Sequence, residues 1–88
     1  MFEVSEGKVE CPLCDGLGLV CKLIIMPLNK PAYVCDECES TWFDENISIK
    51  NFVNLTTYVD ECGYDFKDVR YKDEDYYWYA KNQETNVS

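Results

Sequence analysis

The chain contains no histidine. That removes the imidazole general base, the Ser-His-Asp and Cys-His arrangements, and the nitrogen ligand most used for metals. Any catalysis would rest on thiols, carboxylates or tyrosines. Bases are also scarce. Eight Lys and Arg stand against 17 Asp and Glu, for a formal net charge of −9 and a pI near 4.2. Without a basic face the chain is poorly suited to nucleic acid or anionic membranes, while a basic protein remains a natural partner. No run approaches the ~18 apolar residues of a membrane span, and the first ten residues carry acids rather than the apolar centre of a signal peptide. The expected compartment is the cytoplasm.

What is present is enough to fold. Hydrophobic residues make up 47% of the 88 and aromatics 15%, which excludes disorder on composition. The length allows a single domain, 1–88. A chain of this size buries only roughly 60–65% of its unfolded surface, so a core alone is marginal and a staple is expected.

The cysteines suggest the staple. Six fall at 11, 14, 21, 35, 38 and 62, and four of them make two pairs, Cys11-Pro12-Leu13-Cys14 and Cys35-Asp36-Glu37-Cys38, separated by 20 residues. C-x2-C turns aim two sulfurs at one point, and two such turns supply the tetrahedral four-sulfur set that zinc accepts. Turn amides can donate to the thiolates and offset their charge. Gly16 and Gly18 follow the first pair, where the chain must fold back closely. A disulfide framework is the competing reading, but nothing here directs export to an oxidising compartment. A redox C-x-x-C is another, but it needs one pair opening a helix in a βαβ unit, a pattern that is missing. Cys21 lies in a strand-like run and Cys62 near a helix end; both are expected as small buried hydrophobes rather than ligands.

Between the pairs, Leu17 to Met26 reads as a strand, Pro27 to Pro31 as a loop, and Ala32 to Cys35 as the returning strand. Ser40 to Phe43 reads as a short third strand. Residues 11–43 therefore resemble a zinc ribbon of the small bacterial kind, two rubredoxin-like knuckles joined by a β-hairpin. The run YVCDECESTWF is similar to the second knuckle of such proteins. The resemblance implies Cys11, Cys14, Cys35 and Cys38 as ligands of one structural Zn²⁺ per chain, with Trp42 and Phe43 packed beneath. It implies fold and metal but no single activity. Cys11 to Gly18 also matches the C-x-x-C-x-G-x-G unit of Hsp40-type chaperones; that family uses four such units and this chain has one.

The second half is acidic and aromatic. Apolar residues at Ile49, Phe52, Leu55, Val59 and Cys62 recur at helical spacing and predict a helix over 45–62. Asp44, Asn46 or Ser48 could cap its start, and Gly63 suits its end. Over 64–81, Asp68 to Lys72 reads as a strand, Lys72 to Asp75 as a turn, and Tyr76 to Lys81 as a returning strand, with a frayed tail over 82–88. Alternation in that last strand would bury one aromatic set and expose the other.

These readings predict a small α+β metal-stabilised domain: a zinc-ribbon hairpin, one helix and a C-terminal β-hairpin. The expected function is non-enzymatic binding of a basic protein. Asp73, Glu74 and Asp75 would steer the encounter, and Tyr77, Trp78 and Tyr79 would anchor it. An antitoxin or immunity protein covering a basic toxin fits that description. The alternative is a transcription-associated or nucleic-acid-binding ribbon. Such ribbons carry Lys and Arg on the hairpin, and residues 15–34 hold only Lys22 and Lys30.

Overall fold

The structure, a computed structural model, describes residues 3–14 and 17–80. Its strands are β1 (Glu3–Ser5), β2 (Lys8–Glu10), β3 (Leu19–Met26), β4 (Lys30–Cys35), β5 (Ser40–Trp42), β6 (Val53–Asn54) and β7 (Arg70–Asp75). All pairings among them are antiparallel, in one sheet. One helix, α1 (Leu55–Glu61), and a 3-10 turn (Phe66–Asp68) connect β6 to β7. No helix among the described residues is long and apolar enough to cross a membrane.

β3 is the spine. Its sequence, LVCKLIIM, is dominated by residues that suit a pleated, half-buried surface. β4 pairs with it from Val20↔Cys35 to Ile25↔Lys30. The other edge of β3 is shared: β2 takes its start at Val9↔Val20, and β7 takes its end from Lys22↔Asp75 to Met26↔Arg70. Pro31 lies near the start of β4, outside the stretch that pairs with β5, so its missing N–H costs no bond there.

Alternation along β3 and β4 divides the core into two layers. Val20, Tyr33 and Cys35 face one layer with Val9, Cys11, Trp42, Ile47 and Trp78. Cys21, Leu23, Ile25, Ala32 and Val34 face the other, where Leu55 and Val59 of α1 dock.

The hairpin between the cysteine pairs and the third strand are as expected. Three other elements differ. First, β1 and β2 form an N-terminal hairpin that the sequence reading missed. Its two-residue turn, Glu6-Gly7, has φ of 53° and 83°, the positive pair that a right-twisted hairpin needs. Second, the helix begins at Leu55 rather than Glu45. The candidate caps Asp44 and Ser48 instead close local turns, accepting from the amides of Asn46 and Lys50. Trp42 Nε1 also donates to the Ser48 carbonyl at 2.9 Å, and Ile47 is buried, so this segment is held as a loop. Ile49 and Phe52, two of the apolar residues whose spacing predicts the longer helix, are exposed. Asn54 is the true N-cap, its side chain accepting from the Thr57 amide. The end is as expected: Gly63 has φ 87°, and the amides of Gly63 and Tyr64 return to the carbonyls of Asp60 and Val59, a Schellman closure.

Third, the C-terminal segment is not a hairpin of its own. Residues 70–75 are strand throughout and pair with β3, and the chain then turns into helical conformation over 78–80. Lys72 to Asp75 is therefore not a turn. A one-residue bulge on β7, with Asp73 at φ 56°, absorbs the irregularity between Lys22 and Ile24. Gly16 and the tail 82–88 lie outside the described residues.

Candidate metal centre

Two tight turns at the same end of the sheet bring four sulfurs together. The first, Cys11 to Cys14, follows β2; the second, Cys35 to Cys38, links β4 to β5. The Sγ atoms of Cys11, Cys14, Cys35 and Cys38 all lie within 4.8 Å of one another. Cys11 and Cys38 are 3.7 Å apart, as are Cys14 and Cys35. A tetrahedron with metal–sulfur bonds near 2.3 Å has edges of about 3.8 Å. A disulfide would need about 2.05 Å. The spacing fits four thiolates around one small ion. Tetrahedral four-sulfur sites select zinc or iron among biological metals.

The surroundings prepare the sulfurs for that role. The Glu37 amide donates to Cys35 Sγ at 3.4 Å. The Ser40 hydroxyl, itself buried, lies 3.1 Å from Cys38 Sγ. The Leu13 amide bonds Cys11 in the same way that the amides of Glu37 and Cys38 bond Cys35. Burial pushes the Cys11 thiol well above the ordinary range and Cys35 up to about 11. Burial raises Cys38 as well, but hydrogen bonds from the Ser40 side chain and backbone, together with those of Cys35 and Cys11, outweigh it and bring the thiol down to about 7. A metal ion supplies the positive charge that buried thiolates require.

Gly18 makes the closure sterically possible. A Cβ there would run into Cys35 Sγ and lie 2.9 Å from the Glu37 Cβ. The Gly18 carbonyl accepts from the Cys11 amide at 3.0 Å, tying the return of the first loop to its own first cysteine. Opposite it, Asp36 Oδ1 accepts from the Leu19 amide, and Oδ2 accepts from the Tyr76 hydroxyl at 3.0 Å. The second knuckle is thereby fastened to both β3 and the C-terminal segment. Glu39 leaves that knuckle at φ 61°, a left-handed position usually given to glycine.

The remaining cysteines stand apart from the cluster. Cys21 is buried in the second core layer, where desolvation raises its pKa to about 11. Cys62 caps the end of α1 and is exposed, not buried as expected. Of the residues assigned to partner binding, Asp73 and Glu74 are exposed on β7. Asp75 is half-buried and accepts from the Tyr77 amide. Tyr77 is exposed, with the Lys8 ammonium 5.4 Å from its ring centre. Trp78 is not a free anchor. It is 2% exposed, its Nε1 donates to the Val20 carbonyl at 2.9 Å, and its ring meets Tyr33 edge-on at 4.7 Å. Tyr79 packs against Trp78 and is partly buried. Trp42 is buried as expected, but Phe43 points outward beside Tyr58.

Sequence reasoning missed Ser40 and Asp36 as supports of the knuckle. Ser40 had a local signal, a hydroxyl two residues after the last cysteine; Asp36 had none, because its partners are distant in sequence. Compared with models of known families, with curated proteins and with solved structures, the chain gives no match.

Proposed function

We propose that this chain is a zinc ribbon whose metal is structural, and that it acts as a binding module for a basic protein. The observation that carries the metal assignment is the four-sulfur cluster within 4.8 Å. Cys11, Cys14, Cys35 and Cys38 would hold the ion, and zinc would supply a fixed cross-link between the β3–β4 hairpin and the chain on either side. With sulfur in all four positions the ion has no open place for a substrate, which supports a structural rather than a catalytic role. Four thiolates and one Zn²⁺ take the formal charge from −9 to about −11, which favours encounter with cationic surfaces.

Metal analysis of protein purified without added metal tests the assignment. One zinc per chain and a colourless solution are expected; iron with visible thiolate bands would overturn the choice of metal, and no metal at all would overturn the site. Mobility shifts at low salt with DNA and RNA separate the alternative, since a nucleic-acid ribbon would bind and this chain should not.

A further inference from the structure

Beside the second knuckle, on the face that carries α1, lies a cleft of about 220 Å³ bounded by β3, β4 and β7. Clefts for small molecules usually hold ~300–1,000 Å³, so this one has room for about one side chain. Its floor is apolar, from Leu23 and Val34. Tyr71 and Tyr76 line it, and the carboxylates of Asp36, Glu39 and Glu74 stand around it. No Lys or Arg is among its lining residues.

The bulge in β7 is what composes this lining. Tyr71 pairs with Ile25, whose side chain belongs to the second core layer, while Lys72 and Asp75 pair with Ile24 and Lys22 on the opposite face. In a regular strand Asp73 would follow Tyr71 onto the cleft side. The extra residue at Asp73 passes that place to Glu74, and Asp73 and Asp75 line a different depression with Lys22. Glu74 is thus separated in role from the acids on either side of it.

We propose that this cleft receives a lysine or arginine side chain of the protein partner. The inference rests on the basic-partner reading above and names where that partner inserts. The methylene stem would lie on Leu23 and Val34, the cationic head would meet Glu74 and Glu39, and the tyrosine rings would add cation–π attraction. Asp36 is already engaged by the Tyr76 hydroxyl and the Leu19 amide, so it holds the wall more than it meets the ligand.

An acetylated, amidated tetralysine peptide is the probe, titrated at low salt into the zinc-loaded full chain and followed by amide NMR shifts. Saturable shifts centred on Tyr71, Glu74 and Tyr76 are expected, with contacts from lysine methylenes to the tyrosine rings. Glu74→Gln should weaken binding roughly fivefold, as loss of a partly shielded ion pair does. Tyr71→Leu should weaken it further. Asp73→Asn removes the same charge from the other side of β7 and should change affinity less than about twofold. Equal losses from Glu74→Gln and Asp73→Asn would show diffuse attraction, overturning the cleft while leaving the basic-partner reading in place. Failure of the peptide to bind wild-type protein at all would overturn both.

Discussion

On one face of the sheet the core contains two tryptophans, Tyr33 and two of the four clustered cysteines; on the other it is chiefly aliphatic, closed by Leu55 and Val59 of a helix only seven residues long. Helices under ~12–15 residues are marginal alone in water, so α1 persists through those two contacts and its caps. Each buried aliphatic side chain contributes about 1.5–3 kcal/mol, which is modest for a whole layer. The first face has the additional closure of the sulfur cluster, and the C-terminal segment is anchored to it through Trp78. On the proposed reading the chain divides the work: one layer would depend on a metal cross-link at the four clustered cysteines, the other on ordinary burial and local chain stops.

The largest test of that division is removal of the metal. Structural zinc contributes about 10–16 kcal/mol of apparent binding energy in small modules. That is as large as the ~5–15 kcal/mol net stability of a whole domain. A strong chelator, or Cys35→Ser, should unfold the chain. Near-UV circular dichroism is the direct readout, because Trp42 and Trp78 share their layer with Cys11 and Cys35. A tryptophan signal unchanged by chelation would mean that the two faces do not differ in this way.

Next in size is Trp78→Ala, expected to cost about 3–5 kcal/mol by denaturant titration, as deletion of a buried aromatic does. Zinc stoichiometry should remain one, since Trp78 is not among the four clustered cysteines and its hydrogen bond and ring contacts go to Val20, Tyr33 and Tyr79. An exposed anchor would behave differently, with a stability change within about 0.5 kcal/mol.

A matched pair of small substitutions then sets the faces against each other. Gly18→Ala puts a methyl group into Cys35 Sγ and should destabilise by about 1–3 kcal/mol, with zinc lost to a weaker competing chelator than wild type requires. Cys21→Ala, on the opposite layer, should cost about 1 kcal/mol of packing and leave zinc competition unchanged. Loss of zinc in Cys21→Ala would show that the fourth ligand is misassigned.

The same contrast governs what the sequence made legible. The knuckles were readable because metal geometry forces a spacing, and the β3–β4 hairpin because loop residues separate two β-rich runs. Gly63 was readable because a left-handed helix stop requires almost only glycine. The helix start was not. Ile49 and Phe52 continue the apolar period of Leu55 and Val59, but Trp42 captures the Ser48 carbonyl, and that contact appears only after folding. Likewise Tyr76 to Lys81 alternates like a strand. Nothing local reveals that β7 spends its pairing on β3, or that Trp78 turns inward to reach the Val20 carbonyl. The N-terminal hairpin was hidden because Glu6 stands where Asn or Asp would announce a two-residue turn.

The smallest expected effect sharpens the account of the weaker face. If α1 starts at Leu55, its first-turn amides depend on Asn54, whose Oδ1 accepts from the Thr57 amide at 3.1 Å. Asn54→Ala should then cost about 1 kcal/mol, the usual loss for an N-cap. The helix would fray from that end, so hydrogen exchange should quicken at Thr56, Thr57 and Tyr58 while amides in β3 keep their protection. Asp44→Ala removes a cap from the longer helix that periodicity suggests, and should leave those same amides unchanged, because Asp44 closes a separate turn at Asn46. Faster exchange across 45–54 and α1 together in Asp44→Ala would instead mean that the segment is helical in solution. The layer against Leu23 and Val34 would then be larger than the one described, and the imbalance between the two faces correspondingly smaller.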